Sequence, residues 1–168
     1  MRMNRFIRCL AWAGLAALAA CNTSPVPVTP TAPMQPGVAS AKPTLADEQR
    51  RLAELFRGTP VVFSMQADSA MRVDVPLAFC FDAGRAIVKP PLAAVLDRLA
   101  RSQLNETTHL GVSAPVDVGA KNQALGVQRA VAVRKYMVER GIAEARFLAV
   151  SVSVDGTLKV VVSPVPRP

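Results

Sequence analysis

Two periodicities divide the chain. From Val73 to Phe81 the apolar residues Val73, Val75, Leu77, Phe79 and Phe81 alternate with Asp74, Pro76, Ala78 and Cys80, the two-residue period of a strand covered on one face. A strand over 71–81 is therefore predicted, although Pro76 counts against a central place in a sheet. Val61 to Met65 reads as a shorter strand before it. Leu92, Val95, Leu96 and Leu99 then recur at helical spacing after Lys89-Pro90-Pro91, and proline is tolerated in a helix's first turn. Thr107 to Ser113 predicts a strand, and a long helix follows from about Ala120 to Glu139, with Gly141 as its stop. Phe147 to Val154 alternates again, Asp155-Gly156 signals a hairpin turn, and Leu158 to Val162 returns. Upstream, Thr44 with Asp47 marks a helix start, Leu45, Leu52, Leu55 and Phe56 supply a partial apolar face, and Gly58-Thr59-Pro60 ends that helix.

The order β, β, α, β, α, β, β predicts an α+β fold, with two helices packed on one face of a mixed four- to five-stranded sheet and one extra helix outside it. The longer of the two carries an anomaly. Leu125, Ala132, Val133 and Tyr136 fall on one side of it, and Arg129 falls in the middle of that apolar stripe. Such an arginine either snorkels past the core to water or awaits an anion.

More than half of the 168 residues are hydrophobic, but the first twenty skew that figure. Arg2, Arg5 and Arg8 precede a short apolar run from Leu10 to Leu18 that holds the only tryptophan, Trp12. The run is too short to span a bilayer and reads as a secretory signal over residues 1–20. Without those three arginines, 17 basic side chains stand against 12 acidic ones, a formal charge of +5. They are dispersed and lack interleaved aromatics, so nucleic acid is not an expected partner. Cys9 leaves with the signal and Cys80 stands alone in the folded part, where it reads as a small buried hydrophobe in a strand. With one histidine, His109, neither a metal set nor a cofactor site is expected. His109 reads as a surface or strand-edge residue, and no nucleophile–His–acid set suggests an enzyme.

Residues 21–43 include Pro25, Pro27, Pro30, Pro33, Pro36 and Pro43, a spacing that favours extended polyproline structure. At ~3.1 Å per residue the segment reaches ~60–70 Å. It reads as a tether, followed by the helix at 44–58, the main domain at 59–164 and a short tail at 165–168.

Two stretches carry a family resemblance. Leu18-Ala19-Ala20-Cys21 resembles the lipobox of bacterial lipoproteins, in which the cysteine becomes the lipidated N-terminus. VDVPLAFCFDAGRAIVKP, from Val73 to Pro90, is similar to the opening of the OmpA-like domain. Asn122, Leu125, Arg129, Ala130 and Val133 stand at the spacing of that family's Asn-x-x-Leu-Ser-x-x-Arg-Ala-x-x-Val, with Gly126 where serine is usual and Gly141-Ile142 as a similar stop. The resemblance covers roughly 71–162. It implies non-covalent binding of peptidoglycan, in which an aspartate meets the amine of the stem-peptide diamino acid and the arginine meets its carboxylate. Counted without gaps, Gly111-Val112-Ser113-Ala114 occupies the place of Gly-His-Thr-Asp. The resemblance thus puts Arg129, Asn122 and Ser113 at the site, with Ala114 replacing the aspartate. Loss of one charge-assisted partner costs roughly 1.5–3 kcal/mol, on the order of 10–100-fold in affinity. Asp117, three residues along the loop, is the candidate substitute.

The expected protein is an outer-membrane lipoprotein facing the periplasm. It is anchored through lipidated Cys21, with no aspartate retention signal at Asn22, and its OmpA-like domain holds peptidoglycan weakly. The alternative is a module that has lost the glycan ligand and contacts another protein in an envelope assembly.

Overall fold

Alternation along three strands builds the sheet. β2 (Met71–Pro76) buries Met71, Val73 and Val75; β3 (Thr108–Pro115) buries Leu110, Val112 and Ala114; β5 (Thr157–Pro164) buries Leu158, Val160 and Val162. The residues between them, among them Arg72, His109, Ser113, Lys159 and Ser163, face the other way. The computed structural model describes residues 42–119 and 123–165. The signal, Cys21, most of the tether, Asn122 and the last three residues of the tail lie outside them.

With β1 (Val62–Met65) and β4 (Ser151–Ser153), these strands form one five-stranded sheet in the order β1-β2-β5-β3-β4. β3 and β4 run parallel and every other pair antiparallel. Val73, Val160 and Val112 stand in line across β2, β5 and β3. All three belong to one apolar core with Leu92, Val95, Leu96 and Leu99 of α3 (Pro90–Gln103) and Ala130, Val133 and Met137 of α4 (Ala124–Val138). The sheet thus has one face under helices and one polar face, the α+β architecture expected from the pattern.

The extra helix is α1 (Leu45–Leu55). Thr44 and Asp47 form a reciprocal capping box at its start. Leu52 is wholly buried in the common core, and the rings of Phe56 and Phe63 stack at 5.6 Å. Gln49 Nε2 donates to the Phe63 carbonyl at 2.7 Å, so α1 engages a backbone acceptor of edge strand β1, one way of blunting an exposed edge.

Four expectations need correction. The strand predicted over 71–81 stops at Pro76, and residues 77–80 form a helical turn, α2 (Leu77–Cys80). Proline there sits at the strand's end, where its missing N–H costs no ladder bond, so β2 keeps two neighbours. Cys80 is accordingly buried in a helix and not in a strand; its thiol lies against the Val75 and Pro76 carbonyls. Its pKa is pushed up to about 12 by burial. The strand predicted from Phe147 to Val154 is only β4, preceded by a 3₁₀ turn at Glu144–Arg146. Finally, Asp155-Gly156 is not a hairpin between paired strands. It reverses the chain past the end of β3, which lies between β4 and β5.

Candidate functional site

The stripe on α4 is centred one residue away from the expected line. Gly126, Arg129, Ala130, Val133 and Met137 are buried, with Leu125, Ala132 and Tyr136 half-buried beside them. Gly126 sets the approach of this helix. A Cβ there would meet Val152 Cγ1 at 2.9 Å and the Ala114 carbonyl oxygen at 3.0 Å. The helix backbone therefore lies close on β3 and β4, and Arg129, one turn later, enters the protein at the strand ends.

Arg129 is 0% exposed. Its Nε donates to the Arg85 carbonyl at 2.9 Å, Nη1 to the Pro115 carbonyl at 2.8 Å, and Nη2 to both the Asp82 carbonyl at 3.2 Å and Asp117 Oδ1 at 2.6 Å. The guanidinium carbon stands 5.2 Å from the centre of the Phe81 ring, within cation–π range. A buried charge requires such compensation. The side chain does not snorkel to water, and the anion it meets within the protein is Asp117.

The partners come from two loops and the end of β3. Asp82 to Arg85 forms a turn, closed by the Arg85 N–H on the Asp82 carbonyl at 3.0 Å, with Gly84 at φ +67°, a conformation glycine adopts without penalty. The carbonyls of Asp82 and Arg85, the first and last residues of this turn, are the two that accept from Arg129. The Gly84 N–H donates to Asp117 Oδ2 at 2.7 Å. Asp117 thus joins the turn, the loop after β3 and α4. The Arg129 hydrogen bond, then the Gly84 N–H, hold its carboxyl below the usual carboxylate range.

Asp117 is 31% exposed at its side chain while Arg129 is fully enclosed, so the carboxylate alone of this pair faces outward. It lines a cleft of about 610 Å³ together with Gln123, Val152, Ser153, Asp155 and Gly156. Asp155 is ion-paired to Lys159 and accepts from Ser153 Oγ at 3.1 Å and the Thr157 N–H at 3.3 Å. Its pKa is also lowered, chiefly by the Lys159 contact. Both carboxylates are ionised at neutral pH.

The other expected site residues are placed differently. Ser113 lies on the polar face of the sheet, opposite α4, hydrogen-bonded to Ser151 across β3 and β4. It does not meet Arg129. Ala114 points to the helix side and is 0% exposed, so an aspartate at that position would be buried in the core. Asn122 is outside the described residues. The role of the turn at Asp82–Arg85 as an acceptor for Arg129 depends on carbonyl directions that no residue type announces. Among the described residues no group of three or more His, Cys, Asp or Glu could hold a metal, and no helix is long and apolar enough to cross a membrane.

No protein-family model and no curated protein matches the sequence. Solved structures do match. A MotB-like protein from Desulfovibrio vulgaris aligns at 16% identity over 71% of this chain and 92% of its own, with a TM-score of 0.58. The cell wall anchor of the T6SS from Pseudomonas aeruginosa aligns at 19% identity over 69% and 96%, with a TM-score of 0.57. The periplasmic domain of Helicobacter pylori MotB (residues 90–256) aligns at 16% identity over 68% and 85%, with a TM-score of 0.51. At these identities the likeness is one of fold: the folded part of this chain shares the architecture of these structures, consistent with the OmpA-like fold expected from the sequence.

Proposed function

We propose that this chain is a periplasmic envelope protein whose OmpA-like domain associates non-covalently with peptidoglycan through the cleft at Asp117. It acts as a binding module and catalyses no reaction. The observation that carries this reading is the Asp117–Arg129 pair: the loop after β3 presents an ionised carboxylate at a cleft mouth, beside the arginine that the family resemblance places at the ligand site. The fold shared with a structure described as a cell wall anchor supports it. Cys21 is the proposed lipidation site, and residues 22–43 the tether that spaces the domain from its membrane. Because Asp117 is already paired and partly solvated, its attraction for a ligand is weak.

Co-sedimentation of the full-length protein with purified sacculi tests the proposal. The wild type is expected in the pellet and the Asp117→Asn protein largely in the supernatant, with unchanged helix content by circular dichroism. Equal retention would remove Asp117 from the site. In cell fractionation, Cys21→Ser is expected to move the protein from the membrane to the soluble fraction; unchanged partition would refute the anchor.

One observation favours the second reading, a module for protein–protein contacts: Arg129 has no exposed surface with which to hold a ligand carboxylate. Failure of the wild type to bind sacculi at all would select it.

A further inference from the structure

The geometry points to Arg129 as a positioning residue that holds Asp117 at the cleft, so that the site recognises an ammonium group and is indifferent to a carboxylate beside it. This inference rests on the peptidoglycan reading above and specifies which part of the stem peptide is read. The first observation is enclosure. Arg129 donates four hydrogen bonds inside the protein and is 0% exposed, and it does not line the cleft. To contact a ligand carboxylate it would have to give up its bonds to the Arg85, Pro115 and Asp82 carbonyls and to Asp117, and among these carbonyls it is Asp82 that keeps another described donor, the Arg85 N–H. The second is the sign of the described charged side chains that face the cleft. Asp117 and Asp155 line it, while Arg129 lies behind Asp117 and Lys159 does not line it. Each aspartate oxygen of Asp117 accepts one described hydrogen bond, from Arg129 and from Gly84. A carboxylate offers about four acceptor positions, so capacity remains for an ammonium approaching from the cleft.

The lost aspartate at position 114 and the enclosed Arg129 then have one explanation. The carboxylate has moved into the loop, where it takes up the arginine, and the arginine's part becomes the orientation of that carboxylate. Gly84 fixes the second oxygen, so Asp117 is held from two sides and presented in one direction.

Two stem tripeptides that differ by a single carboxylate separate the possibilities: one ends in meso-diaminopimelic acid, the other in lysine. Both are titrated against the full-length protein by calorimetry, with a third peptide whose lysine side-chain amine is acetylated. The expected result is equal affinity for the first two, within threefold, and loss of binding on acetylation. A larger preference for the diaminopimelic peptide, about 10–100-fold if an arginine contact were involved, would overturn the positioning role and leave the peptidoglycan reading intact. Retained binding by the acetylated peptide would overturn ammonium recognition. Binding of none of the three would overturn both readings. Arg129→Lys supplies the complementary arm: the charge is kept but the fork that orients Asp117 is lost. Both natural peptides should weaken by the same factor; weakening of the diaminopimelic peptide alone would restore Arg129 as a ligand contact.

Discussion

Arg129 carries a charge to a place that water does not reach, and its surroundings follow from that. Three carbonyls, two from the turn at Asp82–Arg85 and one from the last residue of β3, and one carboxylate answer its N–H groups, with the Phe81 ring within cation–π range of it. The helical stripe made Arg129 conspicuous in the sequence, but its partners were not legible. Two of the three carbonyls belong to a turn more than forty residues away, and a backbone carbonyl leaves no trace in residue identity. Asp117 was legible as a candidate because only its charge mattered. Its titration gives a test. The folded-state pKa lies below the unfolded value of about 4, so the pair's contribution to stability is fully present above that value. It is lost as pH falls through the folded-state pKa. Urea midpoints of the wild type and Asp117→Asn should therefore differ by a constant amount from pH 6 to 8 and converge below pH 4. A gap that persists unchanged into strong acid would show that the Asn variant loses something other than the charge.

At the scale of elements, α4 depends on the absence of a side chain at position 126. Replacing Gly126 by alanine would raise helix propensity by about 1 kcal/mol. The added carbon would meet the Ala114 carbonyl oxygen, part of a strand backbone that cannot rotate away, as well as a Val152 methyl. Overpacking of this kind costs about 1–3 kcal/mol, so Gly126→Ala is expected to lower the urea midpoint with a net loss of about 1 kcal/mol. A raised midpoint would mean that the helix moves off the sheet freely. The elements themselves were readable to different degrees. α3 matched its pattern because four leucine and valine positions at helical spacing admit one solution. Residues 77–80 did not, since Leu77-Ala78-Phe79-Cys80 alternates in size as a strand does while Pro76 ends the ladder and lets the chain turn into a helix. Phe79, expected on the covered face, is consequently 41% exposed. The strand read from Phe147 was shortened for a related reason: Phe147 makes only an isolated bridge to Leu110, and pairing proper begins at Ser151.

For the whole molecule, alternation in β2, β3 and β5 was enough to foresee a sheet with helices on one side, because burial of one face is a property of each strand alone. Strand order was not, since pairing partners are chosen by three-dimensional closure. That order carries a consequence for the timing of folding. The last of the described strands, β5, occupies the middle of the sheet, with β2 on one side and β3 on the other. Before it arrives, β1 and β2 form one ribbon and β3 and β4 another, with no ladder between them. Such long-range closure comes late and slowly. A protein truncated after Val154 is therefore expected to show no cooperative unfolding transition, whereas removal of the last three residues should leave the transition in place; a cooperative transition in the shorter protein would show that the two ribbons can meet without β5. Until β5 is inserted, the edges of β2 and β3 that it covers have no partner, so a protein without it presents two open strand edges to any other chain it meets.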